Sequence, residues 1–494
     1  MNRKHSNKTI LIFSLVAFLA INATTVLAAS TVPTTKVDTT LHTTLPATPT
    51  TAAAVVPAPP VVDTTPPAEP FAFGDFTWLN GNDRRHTALL DSKYFTGEFL
   101  ADVNYTASNN HPIDHTVVGS TALARDNEFE VSDVTLGGDF HYDNVRGRIL
   151  LQLGTRSTVV PRNDNSAFHG QFDLADAYRY ISEGYGGYHF NVWNGINVDA
   201  GIFMSYVGLF SYYGAENWTY QPSFTSDNTP WFFNGMRIQV FPSDKFKAEV
   251  WIINGWQSYA KFNNAPGLGC QLLWRPNEWF QLLSNDYEGF DTQDQPDRLR
   301  IHSDNSIEVR YFNQPSGFFR RAAFSLTQDV GEETGGGVSG FHSGPNGPAQ
   351  FFISGMAYNR LWMADDHLGV TIGAGYIHNP GRYLVLAPTG LANSMPVSFT
   401  DANGQHEYIA NPTFGTPGAQ FTGWDATVSF DWMPNDYETW MLQFIHREAD
   451  VPYFAGPGGV TSPDGYIGTS LTPGWAPDLV KAESRVIAAF LVRF

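Results

Sequence analysis

A single cysteine in 494 residues, Cys270, excludes an internal disulfide, and its position far downstream of the apolar N-terminal run excludes a lipoprotein anchor there. Flanked at alternate positions by Leu268 and Leu272, it reads as an inert apolar wall position. After the N-terminus no stretch reaches 18 apolar residues, which excludes a bundle of membrane-spanning helices. Basic residues are few, 29 against 48 acidic, which excludes nucleic acid as a partner. No glycine-rich phosphate loop and no histidine cluster of metal-ligand spacing occurs, and Gly337-Val338-Ser339-Gly340 lacks the glycine spacing of a nucleophile elbow. The adjacent acid and histidine pairs are Asp114-His115 and Asp366-His367, the second in a tight turn where no cleft is expected. These absences predict no catalytic residue, no metal and no cofactor.

What is present begins with an export signal over 1–28. Arg3, Lys4 and Lys8 precede the apolar Ile10 to Ile21, and Val26-Leu27-Ala28 offers small residues for cleavage. The apolar run falls short of the roughly 20 residues a spanning helix needs. Removing the signal takes three basic residues and no acidic ones, moving the formal charge from −19 to −22. From 29 to 70 the chain is rich in threonine and proline, without apolar period, and is expected to be a disordered linker. Extended, it would reach on the order of 100 Å, as a plain spacer or a tether to the cell wall.

From 71 to 494, with strands from about 93, the pattern is short segments of period two. Val486, Ala488, Phe490, Val492 and Phe494 fall on one face, with Arg485, Ala489 and Arg493 on the other. Trp424, Ala426, Val428, Phe430 and Trp432 alternate with Gly423, Asp425, Thr427, Ser429 and Asp431. The same alternation marks Phe99 to Tyr105, Ile196 to Ile202, Met236 to Val240 and Trp440 to Phe444. One face suits lipid and the other water. Connections alternate between tight turns, such as Asp143-Asn144, Asn194-Gly195 and Pro434-Asn435-Asp436, and long stretches, such as 209 to 234 and 379 to 420. Seven turns and eight long loops separate sixteen strands. This predicts an all-β, closed antiparallel transmembrane β-barrel of about 16 strands, within 14 to 18, with short periplasmic turns and long extracellular loops.

Asp173-Leu174-Ala175-Asp176-Ala177-Tyr178-Arg179-Tyr180, Gly201 to Gly208, Asn254-Gly255-Trp256, and Asn228-Thr229-Pro230-Trp231 with Gly235 give the chain from about Phe71 to Phe494 a family likeness. It resembles the β-barrel porin type 2 family, the OmpL-like outer-membrane porins. The resemblance implies an integral outer-membrane pore, reached through the periplasm, for passive diffusion of small hydrophilic solutes or ions. It supplies no ligand or catalytic residues. It implies outer-membrane lipid and the barrel assembly machinery as partners, with the end Phe490, Val492 and Phe494 as the assembly signal, and is compatible with a homo-oligomer. A structural or adhesive barrel, its lumen plugged and its loops binding a partner, stays open as the alternative.

If the apolar faces meet lipid, the lumen is lined by Arg146, Arg148 and Arg156, read as one strand, with Arg237, Asp102, Asp133, Asp139 and Asp199 on other strands, and farther on Lys247 with Glu249 and Glu308 with Arg310. Such mixed charge either sets up a transverse field that passes polar solutes or forms local ion pairs that stiffen the wall. By resemblance to general porins of sixteen strands, the third external loop, Leu209 to Asn234, is expected to fold inward. Its aromatics would pack on the wall while Glu216 and Asp227 face water at the constriction and favour cations. Tyr212, Tyr213, Trp218, Tyr220 and Trp231 would then serve either as a carbohydrate slide or as loop packing.

Overall fold

The computed structural model describes residues 69–161, 164, 170–292, 295–384, 398–400, 406–408, 418–461 and 476–494. The predicted leader 1–28, nearly all of the linker and the middle of the seventh loop lie outside them.

Sixteen strands form the wall: β1 (Phe95–Ser108), β2 (Phe129–Tyr142), β3 (Val145–Leu153), β4 (Ile181–Phe190), β5 (Ile196–Met204), β6 (Phe232–Ser243), β7 (Phe246–Ile253) and β8 (Gly267–Asn277). They continue as β9 (Phe280–Gly289), β10 (Leu299–Asn313), β11 (Phe319–Gly335), β12 (Phe351–Met363), β13 (Leu368–Asn379), β14 (Phe421–Asn435), β15 (Glu438–Ala449) and β16 (Ala482–Arg493). Each pairs antiparallel with its neighbours in sequence, and β16 returns to β1 in a register that sets Leu100 opposite Arg493 and Ser108 opposite Arg485. The sheet is therefore a closed cylinder, as the alternation predicts, and its backbone groups are paired all round.

Period two explains the wall. On β14 the apolar row from Trp424 to Trp432 points outward, while Asp425, Ser429 and Asp431 are buried in the interior. All seven predicted turns connect hairpins, and in one of them Ala364, Asp365 and Asp366 all have positive φ, a backbone that closes a tight reversal. The eight long connections emerge at the opposite end.

The interior is solid over much of its cross-section. Phe76, Trp78, Leu79, Phe210, Trp218, Tyr358 and Trp362 belong to one buried apolar cluster that joins two inserted segments to the wall. A second cluster joins Val117, Ala122 and Leu123 of the first loop to Ile445, Ile487 and Leu491 of the wall.

Candidate functional site

The chemistry of a barrel lies in its lumen, and here two segments occupy it. The third loop, 205–231, leaves β5 and folds inward, touching the wall on both flanks of the β1–β16 seam. Tyr212 Oη donates to Gln152 Oε1 at 2.6 Å and Tyr213 Oη to Glu183 Oε1 at 3.0 Å on the β3–β4 side. Ser223 Oγ donates to Asp425 Oδ2 at 2.8 Å on β14, and Gln443 Nε2 of β15 donates to the Gln221 carbonyl at 3.0 Å. Two short helical turns, Gly214–Glu216 and Phe224–Asp227, shape its path; the second is capped by Ser223, whose side chain accepts from the Thr225 N–H.

The second segment, 69–92, precedes β1 and carries no periodic pattern. It crosses the turn end of the barrel. The Phe71 N–H donates to the Asp244 carbonyl at 2.7 Å, Trp78 Nε1 to the Glu278 carbonyl at 3.0 Å, and Arg84 to the Asn435 and Glu438 carbonyls at 2.8 and 2.6 Å. Its inner tip meets the third loop: Trp218 N–H donates to Asn80 Oδ1 at 2.7 Å, and Trp218 Nε1 to the Trp78 carbonyl at 3.1 Å. Gly81, at φ +73°, is required there, because a Cβ would lie 2.1 Å from the Leu209 carbonyl oxygen. The signal available in sequence was Phe71, Phe73, Phe76 and Trp78 directly after the proline-rich stretch, a density of aromatics a solvated linker does not sustain.

The named charges fall into distinct groups. Arg146 and Arg237 converge on Asp199, at 3.3 and 3.0 Å. Arg237 also lies over Tyr185, Phe203 and Trp251. Arg148 contacts Glu98, Asp139 and Glu183 at 2.9, 2.6 and 3.0 Å. Asp102 binds Arg156 at 3.0 Å and accepts from Tyr220 Oη at 2.7 Å, while Asp133 accepts from Thr135. Arg156 is not on the strand with Arg146 and Arg148: β3 ends at Leu153, Gly154 turns the chain at φ +131°, and Arg156 opens a short helix whose guanidinium donates to the Tyr212 carbonyl. Glu308 accepts from the Asn80 N–H at 2.8 Å, and Arg310 pairs with Glu278 at 2.8 Å beneath Trp78, so the inserted 69–92 segment covers both.

The expectation that Glu216 and Asp227 face water is corrected. Glu216 is held by Arg493, and Asp227 by Arg447 at 2.9 Å and by Thr121 Oγ1 at 2.8 Å. Burial raises both carboxyl pKa values, against the pull of those arginines. The five candidate aromatics of a sugar slide, Tyr212, Tyr213, Trp218, Tyr220 and Trp231, are all buried; they pack the loop. Phe490 and Phe494 stand on the outer face, against Trp440 and Tyr437.

Water access is lopsided. Along β9 to β16 the charged inward residues Asp304, Glu308, Arg360, Asp431, Arg447 and Arg485 are buried. Along β2 to β8, in the half nearer the turns, side chains stay open: Arg146 is 30% exposed, Asp139 46%, Lys247 16% and Arg237 14%. A cavity of about 190 Å³ lies between Leu79 to Asn82, the third loop, and Gln271, Arg275 and Gln281 of the β8–β9 wall.

The family described as "Putative beta-barrel porin-2, OmpL-like" matches residues 95–471. No curated relative matches the chain. Among solved structures, the chain is similar to the anion-selective porin from Comamonas acidovorans, at 10% identity over 81% of this chain and 99% of that one, TM-score 0.45. It is also similar to the outer-membrane channel DcaP of Acinetobacter baumannii, at 11% identity over 84% and 100%, TM-score 0.43. A third is outer-membrane-expressed OmpT of Vibrio cholerae, at 9% identity over 82% and 99%, TM-score 0.44.

Proposed function

The chain belongs to the β-barrel porin-2, OmpL-like family of outer-membrane porins, and from that premise we propose that small hydrophilic solutes diffuse passively along the β2–β8 side of its lumen. The observation that carries this reading is the lopsided exposure: the charged inward residues of β9 to β16 from Asp304 to Arg485 are buried, whereas Arg146 and Asp139 are open and Arg237 and Lys247 partly so. Their acidic partners Asp199 and Glu249 are buried behind them, so the surface a solute meets on β3, β6 and β7 is predominantly basic, with Asp139 the exposed exception. In a narrow passage such heads act on ions at short range, where salt screens little. The segments 69–92 and 205–231 set its width. Residues 1–28 serve export, 29–70 link the barrel to the periplasm with the cell wall within reach, and the end at Phe494 is read by the assembly machinery.

The test is thiol accessibility. In a Cys270→Ala background, a charged methanethiosulfonate should lower single-channel conductance of Gln239→Cys, on the hydrated inward face of β6, and leave Thr371→Cys, buried on β13, unchanged. An unaffected Gln239→Cys channel would refute the path. The solid cross-section formed by Trp78, Phe210 and Trp362 favours a second reading, a structural barrel with a plugged lumen; the absence of any conductance step in the parent protein would select it.

A further inference from the structure

The cavity of about 190 Å³ between segment 69–92, the third loop and the β8–β9 wall holds hydrogen-bond donors that have nothing to donate to. Arg275, on the inward face of β8, is part-buried, and its Nε donates to Gln281 Oε1 at 2.7 Å. Among the described residues its Nη1 and Nη2 find no acceptor and no carboxylate forms an ion pair with it, whereas every other arginine on a wall strand has one. Asn80 of the inserted segment and Trp231 of the third loop also line the cavity, 3% and 6% exposed, and neither Asn80 Nδ2 nor Trp231 Nε1 has a partner among the described residues. The Asn80 amide is not free to turn round, because its Oδ1 accepts from the Trp218 N–H at 2.7 Å.

The chemistry of the lining selects the occupant. No acidic side chain lines the cavity, and Glu308, beyond Gln281, has both oxygens committed, to the Asn80 N–H and to Gln281 Nε2, each at 2.8 Å. The Arg275 guanidinium lies over Phe71 and Phe76, 4.9 and 4.6 Å from the ring centres, which leaves its in-plane N–H edge to bind. That edge fits a carboxylate through two parallel hydrogen bonds. Water brings as many donors as acceptors and no charge; a carboxylate brings acceptors alone, together with the missing counter-charge. Leu79, Met204, Leu209, Leu273 and Leu283 supply an apolar side. At about 30 Å³ for each water-sized group, the space suits a molecule of roughly six non-hydrogen atoms.

We propose that this cavity binds a small monocarboxylate with a short aliphatic tail, its carboxylate on Arg275 and its tail against the leucines. Asn80 and Trp231 come from the two inserted segments, so the site is complete only while both are docked. It rests on this lining alone and is independent of whether solutes cross along the β2–β8 side.

The test is isothermal titration of the full-length protein in detergent with butyrate, at two temperatures so that a vanishing heat at one is not taken for a lack of binding. Butyrate should fill one saturable site. Arg275→Gln should weaken it by at least about tenfold, and Arg275→Lys by less, since lysine keeps the charge without the planar fork. Asn80→Asp, which keeps the acceptor for the Trp218 N–H and puts a negative charge in the cavity, should abolish binding. Butyramide, which lacks the charge, and chloride, which lacks the tail, should each bind at least about tenfold more weakly. No saturable butyrate binding in the parent overturns the proposal, as does unchanged affinity in a heat-modifiable Arg275→Gln barrel, or equal affinity for butyramide or chloride. Should Arg275→Gln fail to assemble, Leu283→Phe fills the cavity from β9 and leaves every donor in place; butyrate binding that persists there overturns the proposal equally.

Discussion

Replacing Asp227 by asparagine should loosen the third loop from its seat. Asp227 is 2% exposed, and its carboxylate accepts from Arg447 Nη2 at 2.9 Å, Gln221 Nε2 at 2.9 Å and Thr121 Oγ1 at 2.8 Å. Arg447 is itself fully buried, stacked on Phe224 at 3.8 Å. Asparagine keeps the shape and one acceptor, yet leaves the guanidinium without its counter-charge. Breaking one side of a buried pair costs about 3–5 kcal/mol. At about 1.4 kcal/mol per tenfold, the docked state loses at least roughly a hundredfold in weight against undocked ones. In planar bilayers this should appear as added open-channel noise and brief excursions to higher conductance, and in proteolysis as new cleavage within 209–230. Adding Arg447→Met should quiet the channel again, because removing both charges leaves neither one stranded. Unchanged noise and protease resistance in Asp227→Asn, or no recovery in the double variant, would refute the reasoning.

Trp78→Ala removes a fully buried ring that donates to the Glu278 carbonyl and packs in the core cluster with Trp218; large-to-small losses of about 3–5 kcal/mol should undock 69–92 and raise conductance, which bilayer recording would detect. Asp114 clasps the eighth loop to the first. Although burial works to raise its pKa, hydrogen bonds from the Thr461 hydroxyl and from the Val460 and Thr116 N–H groups hold it below the usual carboxylate value. Because the clasped carboxyl titrates lower than the free one, the clasp is at full strength above about pH 4 and weakens as pH falls through the lowered value; hydrogen exchange at 457–461 should rise there, and Asp114→Asn should abolish the step. Phe494→Asp should cut the amount of heat-modifiable barrel in the outer membrane more than the amount exported, since it replaces a ring stacked on Phe99 and Tyr437 on the outer face of the closing seam with a charge.

The wall was legible because lipid on one side and polar packing on the other impose an alternation that survives in the sequence, as in Trp424 to Trp432, and because turns such as Asp143-Asn144 announce the hairpins. The filling of the lumen was not. Asp227 finds Arg447 and Glu216 finds Arg493, partners more than 200 residues away that leave no local period, so carboxylates in a polar loop read as water-facing. Arg156 continues the parity of Arg148 and so reads as part of β3; the break at Gly154 is a backbone event that parity does not register. Segment 69–92 has no period at all, since it packs as a strap with contacts on every side.

The seam between β1 and β16 also sets the order of events in time. Joining Leu100 to Arg493 closes a loop of nearly four hundred residues, against about a dozen for a hairpin, an added entropic barrier of about 3 kcal/mol. Until that pairing forms, a partly built sheet carries two unpaired edges that hydrocarbon will not accept. Closing the seam is thus the step that turns a sheet with two open edges into a cylinder with none.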